Sequence, residues 1–367
     1  MPLAGMFCES RDEAKVAPMY PLSWVKCRKC GLVQVLEEIA EDLLYGRYSY
    51  ASSTVPGLVR HFSQYAQDLI SRYSTQSRIH FLEIGCNDGV LLNRLPESWE
   101  LLGVDPSDVA RTGPNVGENY HLLDERFTTD LVDREKLQGK FDVVSGSNCL
   151  AHIADLKDVF TGVYRSLRLG GHFWLEVHDL DALLRGKQWD TIYHEHKVEW
   201  SVTSLRRCLL PLGFTVVGIW RHMLHGGSLR ACFRKESQPQ SVQGAPMLED
   251  QLKELQLVYK SRYDSPAVQT LVTAQANGKK ISAFGAAGRA NVYLNQLSDL
   301  KFKYVVDESP LRVNKFLPGI GTPVVDLDRF QSDPTDICLI TAWNYADDIK
   351  RNKVFHGRWL TAFEMPS

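Results

Sequence analysis

The alternation of apolar and polar positions divides the chain into three blocks. Residues 1–75 begin without a period, pass through "CRKCGLVQV" and end in "VPGLVRHFSQYAQDLISRY", where apolar residues recur at helical spacing. The block 76–236 opens with "IHFLEIGCNDGVLLNRL", a short apolar run, a glycine-bearing turn and a helical pattern. It continues through "ELLGVDPSD", "FDVVSGSNCLAHI" and "GGHFWLEVHD", apolar runs that stop on polar residues, with helix-length segments between them. Such alternation predicts a parallel, doubly wound α/β sheet whose ligands sit beyond the carboxyl ends of the strands. "SQPQSVQGAPM" reads as a linker, and the block 237–367 repeats strand, turn and helix in "KKISAFGAAGRANVYLNQL", "FKYVVDESP" and "TDICLITAWN". Two α/β domains on one chain predict a cleft between them.

Composition removes several classes of function. At 367 residues and 44% hydrophobic, the chain can bury an ample core. A net charge of -2 leaves no electrostatic footprint for nucleic acid or an anionic membrane. No apolar run approaches the roughly 20 residues of a membrane helix, and "MPLAGMFCESRDEAK" lacks the basic-then-apolar order of a signal peptide. A cytoplasmic protein without nucleic-acid or membrane partners is expected. Of the 8 cysteines, only Cys27 and Cys30 in "CRKC" have metal-ligand spacing. A structural zinc site needs four ligands, usually two such pairs, and Cys8 offers at most a third, so zinc is expected at well under one equivalent.

The turn in "FLEIGCNDGVLL" carries more chemistry. Gly85 and Gly89 allow a tight strand-to-helix turn where backbone N–H groups approach a ligand. A dinucleotide fingerprint requires another glycine against the pyrophosphate, and that place holds Asn87. Glu83 precedes the turn and Asp105 ends the next strand, where a carboxylate can accept both hydroxyls of a ribose. A ligand with an ammonium, a ribose diol and no pyrophosphate fits: S-adenosylmethionine (SAM). Asn148, in "SGSNCLAHI" at a later strand end, joins this cofactor set.

With these residues, "CRKCGLVQV", "YSYASS", "IYHEH", "LHGGSLR", "GAAGRAN", "DESPLRVNKFLPG" and "AWNYADDI" occur in an order and spacing that resemble the bacterial nucleotide-deoxysugar C-methyltransferases. The resemblance implies a small N-terminal zinc-binding domain, here degenerate, a central class I SAM-methyltransferase Rossmann-like domain, and a C-terminal second Rossmann-like domain that helps hold a nucleotide-sugar substrate. "MPLAGMF" looks like the segment that follows the first C-x-x-C pair in relatives. By the same resemblance His196 is the general base and Glu195 its orienting partner. Tyr193 and His152 act beside them, and His194 faces solvent. His225, Tyr48 and Tyr50 contact the substrate, while Gly285 and Arg289, supported by Arg312 and Lys315, meet its diphosphate. The chemistry matches these residue types: a carbon beside a ketone becomes nucleophilic only when a base near neutral pKa removes its proton and a donor steadies the oxyanion.

Overall fold

A short antiparallel hairpin, β1 (Trp24–Lys26) and β2 (Val33–Val35), precedes the central sheet. This computed structural model describes residues 1–40, 43–44, 51–117, 119–242 and 251–363; Tyr48 and Tyr50 lie outside them. The central strands are β3 (His80–Ile84), β4 (Glu100–Val104), β5 (His121–Leu123), β6 (Phe141–Ser147) and β7 (Leu167–His178), followed by the two-residue β8 (Val198–Glu199), which leaves this sheet, and then β9 (Phe214–His222) and β10 (Ser228–Lys235). Their order is β5-β4-β3-β6-β7-β10-β9, with β10 antiparallel to both β7 and β9. This is the class I SAM-methyltransferase architecture. Every residue of β6 is buried, as a strand covered on both faces requires.

Helix Pro56–Arg72 covers one face of that sheet. It starts on a proline that suits the first helical position, and Leu58, Phe62, Tyr65, Ala66 and Leu69 make one apolar stripe against Phe81, Leu101, Val143 and Trp174. The other face buries Val159, Phe160 and Val163 of helix Leu156–Ser166 with Leu82, Val144 and Phe173. After the glycine turn, the expected helix is only the 3₁₀ turn Leu92–Arg94. Pro96 disfavours helical geometry at the residue before it and leaves too few residues for a longer helix.

The C-terminal block is a five-stranded parallel sheet of β11 (Ile281–Phe284), β12 (Val305–Val306), β13 (Val324–Val325), β14 (Ile337–Ile340) and β15 (Arg358–Thr361), in the order β13-β12-β11-β14-β15. It is a second Rossmann-like unit. The N-terminal segment straps onto it: Cys8 and Phe316 exchange backbone hydrogen bonds, and Asn291 donates to the carbonyl of Ala4 at 3.0 Å. β8 instead pairs with β2, so the polypeptide between β7 and β9 is held by the N-terminal hairpin. No helix among the described residues is long and apolar enough to cross a membrane.

Candidate active site

At the carboxyl end of β3 the backbone turns through Gly85 (φ 68°), Asn87 (φ 51°) and Gly89 (φ 74°). Glycine is required twice over here, because a Cβ at Gly85 would lie 2.6 Å from Cys149 Cβ and one at Gly89 2.6 Å from the Tyr120 hydroxyl. Asp105, just past β4, accepts the N–H of Asn87 at 2.9 Å and that of Ser107 at 2.8 Å. Glu83 is buried, and among the described residues one of its carboxylate oxygens, Asp88 Oδ1 and the Tyr120 hydroxyl have no hydrogen-bond partner. Burial, and then the charge of Asp105, push the Glu83 carboxyl well above its ordinary range. Unsatisfied buried acceptors beside a close-approach turn call for a cationic, hydroxyl-bearing ligand. The "YSYASS" motif reaches this loop through its last residues: Ser52 N–H donates to Asn87 Oδ1 at 2.8 Å and Ser53 Oγ to Asp88 at 2.5 Å. Asn148, at φ 58°, donates its N–H to the Glu176 carbonyl and its side-chain amide to the Glu176 carboxylate at 3.3 Å.

The "IYHEH" stretch is a bend and one tight turn after the 3₁₀ segment Trp189–Thr191. Three attachments fix it: Lys197 N–H to the Ala151 carbonyl, Val35 N–H to the Lys197 carbonyl, and Trp189 stacked on Tyr293 with ring centroids 4.1 Å apart. The stretch therefore sits where all three blocks meet. His196 Nδ1 faces two acceptors, the Thr191 carbonyl at 3.1 Å and Glu199 Oε1 at 3.6 Å, so it carries the proton. That leaves Nε2 as the basic atom, 3.2 Å from the Tyr193 hydroxyl. The His152 ring lies 5.4 Å from that of His196, and its Nδ1 donates to the Glu195 carbonyl at 2.8 Å. Desolvation and the neighbouring His196 bring His152 down to about 4, so it is neutral at pH 7.

Two expectations are corrected here. The carboxylate opposite His196 Nδ1 is Glu199, not Glu195. Glu199 is fully enclosed, and although burial opposes it, His178 and His196 bring its pKa down to about 2. The Glu195 carboxyl accepts the N–H of Gly5 instead, and burial pushes it up to about 7 despite that hydrogen bond. His194 does not face solvent either: it is 3% exposed, with Nε2 2.7 Å from the Pro21 carbonyl. Sequence reasoning also missed Glu176 and His178, two residues apart at the end of β7. Their signal was polar side chains interrupting the buried run "FWLEVH" at the carboxyl edge of the sheet.

Residues 58–219 match the methyltransferase domain family and residues 223–366 the C-methyltransferase C-terminal domain family. C-methyltransferase NovU of Streptomyces niveus is 28% identical over 96% of this chain and 87% of its own length. The chain joins a methyltransferase domain to a C-methyltransferase C-terminal domain, the make-up of a SAM-dependent C-methyltransferase. More partial likenesses are to the malonyl-[acyl-carrier protein] O-methyltransferase of Bacillus anthracis, 24% identical over 36% of this chain and 51% of that protein, and to the crystal structure of the PH0226 protein of Pyrococcus horikoshii, 19% identical over 54% of this chain and all of that one, with a TM-score of 0.42. The unpartnered buried oxygens around Gly85 are compatible with a ligand such as the cofactor of these methyltransferases.

The C-terminal domain of the methyltransferase packs against the segment Trp189–Thr191 that leads into "IYHEH". His225, in the left-handed conformation (φ 53°), is brought down to about 3 by desolvation and then by Arg289. Gly285 (φ 97°) turns the chain after β11, and Ala286 N–H donates to Asp307, echoing the bond from Asn87 to Asp105. The helix Gly288–Asn295 starts beside Tyr193, since a Cβ on Gly288 would lie 3.9 Å from the phenol oxygen. Arg289 departs from the diphosphate expectation. It makes a bidentate pair with buried Asp190 at 2.8 and 3.1 Å and donates to the His225 carbonyl at 2.9 Å. Arg312 and Lys315 are also paired, with Asp307 and Glu9 at 3.0 Å each. Cys30 hydrogen-bonds Cys208 and Cys27, and no cluster of three or more His, Cys, Asp or Glu that could hold a metal occurs among the described residues.

Proposed function

We propose that the enzyme methylates carbon beside the ketone of a nucleotide-linked 4-keto-deoxysugar, with His196 removing the proton. The observation that carries this reading is the set His196, Tyr193 and Glu199: a basic Nε2 beside a phenol, its other nitrogen backed by a buried carboxylate. A carbon acid needs such a base, whereas a hydroxyl or amine acceptor needs less help to become nucleophilic. When bound, SAM supplies an electrophilic methyl on a sulfonium.

His196 Nε2 takes the proton from the carbon, and the imidazolium that forms is offset by ionised Glu199 at Nδ1. Tyr193, released from Nε2 as that nitrogen is protonated, turns its O–H to the developing enolate oxygen. Neutral His152 holds its Nδ1 proton on the Glu195 carbonyl and presents Nε2 to the substrate. The cleft walls contributed by His225 and the Gly285 turn receive the sugar nucleotide. Mass spectrometry of the purified enzyme with SAM and a panel of dTDP-, CDP- and GDP-linked 4-keto-deoxysugars tests the reading. A mass increase of one methyl on a sugar carbon is expected; transfer only to oxygen or nitrogen acceptors would replace the proposal.

A further inference from the structure

His178 closes β7, at the edge of the sheet where ligands bind, and its side chain is 7% exposed. Its Nδ1 lies 3.0 Å from Glu199 Oε2, while His196 Nδ1 stands 3.6 Å from Glu199 Oε1, an oxygen with no hydrogen-bond partner among the described residues, so both imidazoles face one carboxylate. The two rings are 6.3 Å apart. The remaining ring nitrogen of His178, Nε2, is buried and has no hydrogen-bond partner among the described residues. Neither the cofactor loop nor the proton transfer described above uses it.

One carboxylate can offset one imidazolium. If His196 receives the proton from carbon, His178 must stay neutral, because a second positive ring on Glu199 would oppose the first. A neutral imidazole that gives its Nδ1 proton to a carboxylate carries a lone pair on Nε2 and can only accept there. A buried acceptor left unpaired is costly, so its donor arrives with the ligand. We propose that His178 Nε2 reads a hydroxyl of the acceptor sugar, taking its O–H in a hydrogen bond and so selecting hydroxylated acceptors over their deoxy analogues. The proposal rests on the C-methylation of a keto-sugar proposed above.

The test begins with wild-type turnover of the keto-sugar panel, and failure at that step refutes the functional reading itself. With a turned-over acceptor in hand, single-deoxy analogues are compared. The wild type is expected to reject one of them by roughly 10–10³-fold in kcat/KM, since a site built around a hydroxyl leaves its own group unpaired without it. His178→Asn keeps an amide N–H near the Nδ1 position and loses Nε2, so it should raise KM for the hydroxylated acceptor and abolish the discrimination while SAM affinity holds. His178→Gln, which places an amide near Nε2, should retain part of the discrimination. Equal treatment of every deoxy analogue by the wild type, or full discrimination in His178→Asn, overturns the proposal. Should the variants not fold, ¹⁵N-histidine NMR of the wild type with demethylated cofactor decides. An unprotonated Nε2 signal that shifts with the hydroxylated acceptor and not with the deoxy one is expected; no such shift refutes it.

Discussion

Glu199 and Glu195 stand four residues apart and have opposite environments. One is ionised between two imidazoles and the other is held near neutrality by burial. The two charge states predict different mutants. Glu199→Gln removes the charge that offsets protonated His196, so kcat should fall about 10–10²-fold, whereas Glu195→Gln should stay within a few-fold. Stopped assays on both variants separate them, and the reverse ranking would return the orienting role to Glu195. His196→Asn should cost roughly 10²–10⁴-fold and also lose solvent-deuterium exchange at the carbon beside the ketone. The resemblance carried by "IYHEH" pointed to His196 and Tyr193. It did not point to Glu199, because the bend and turn after Trp189 decide which side chain returns to Nδ1, and three residues of separation in a turn carry no periodicity. Glu83 makes a prediction in pH. Its folded pKa lies above the unfolded one, so the stability it contributes is complete below the ordinary glutamate range and lost as pH rises through the raised value. A cation bound at Glu83 favours the ionised form, so between the ordinary glutamate range and the raised value SAM binding should release a proton and tighten as pH rises. Calorimetry in buffers of unlike ionisation enthalpy reads the release, and Glu83→Gln should abolish it. Proton uptake in the wild type would refute the assignment.

Elements differ in how openly the sequence announces them. β6 is seven residues, buried throughout, and follows from its apolar run. Helix Pro56–Arg72 shows its stripe as plainly, although its partner is the central sheet rather than the residues before it. β1, β2 and β8 are two or three residues long and draw their stability from one another. No local pattern marks them. Yet this small sheet holds the stretch bearing His196, through the hydrogen bond from Val35 N–H to the Lys197 carbonyl at 2.8 Å. Val35→Pro deletes that donor without touching the cofactor loop. It should leave SAM affinity within about threefold and reduce methylation at least tenfold, since small displacements of a catalytic group are expensive. If SAM affinity and methylation fall together, the hairpin supports the whole domain and not this stretch alone.

In the whole molecule, the Asp190–Arg289 pair joins the loop carrying His196 to the C-terminal domain. Asp190 is 1% exposed, and Trp343 Nε1 adds a hydrogen bond at 3.0 Å. The two Rossmann-like blocks were legible because each repeats strand, turn and helix. Their joint was not, because a salt bridge spanning 99 positions leaves no trace in local pattern, and neither does the strap of the first residues on the C-terminal sheet. In sequence, an arginine beside a glycine turn looks like a diphosphate ligand, and in the fold the same guanidinium is held by a carboxylate. The two roles predict different defects. As a clamp, Arg289→Ala abandons a buried carboxylate and should lower unfolding stability by about 3–5 kcal/mol, less whatever Trp343 compensates. Arg289→Lys should recover only part of it, because an ammonium cannot reproduce the two-pronged bond. Adding Asp190→Asn to Arg289→Ala should restore stability relative to Arg289→Ala alone, since no charge is then left buried without a partner. As a diphosphate ligand, Arg289→Ala would instead raise KM for the sugar nucleotide and leave the denaturation midpoint in place, and the double variant would recover nothing. Urea denaturation of the three variants beside their KM values distinguishes the two, and an unchanged midpoint in Arg289→Ala would refute the clamp.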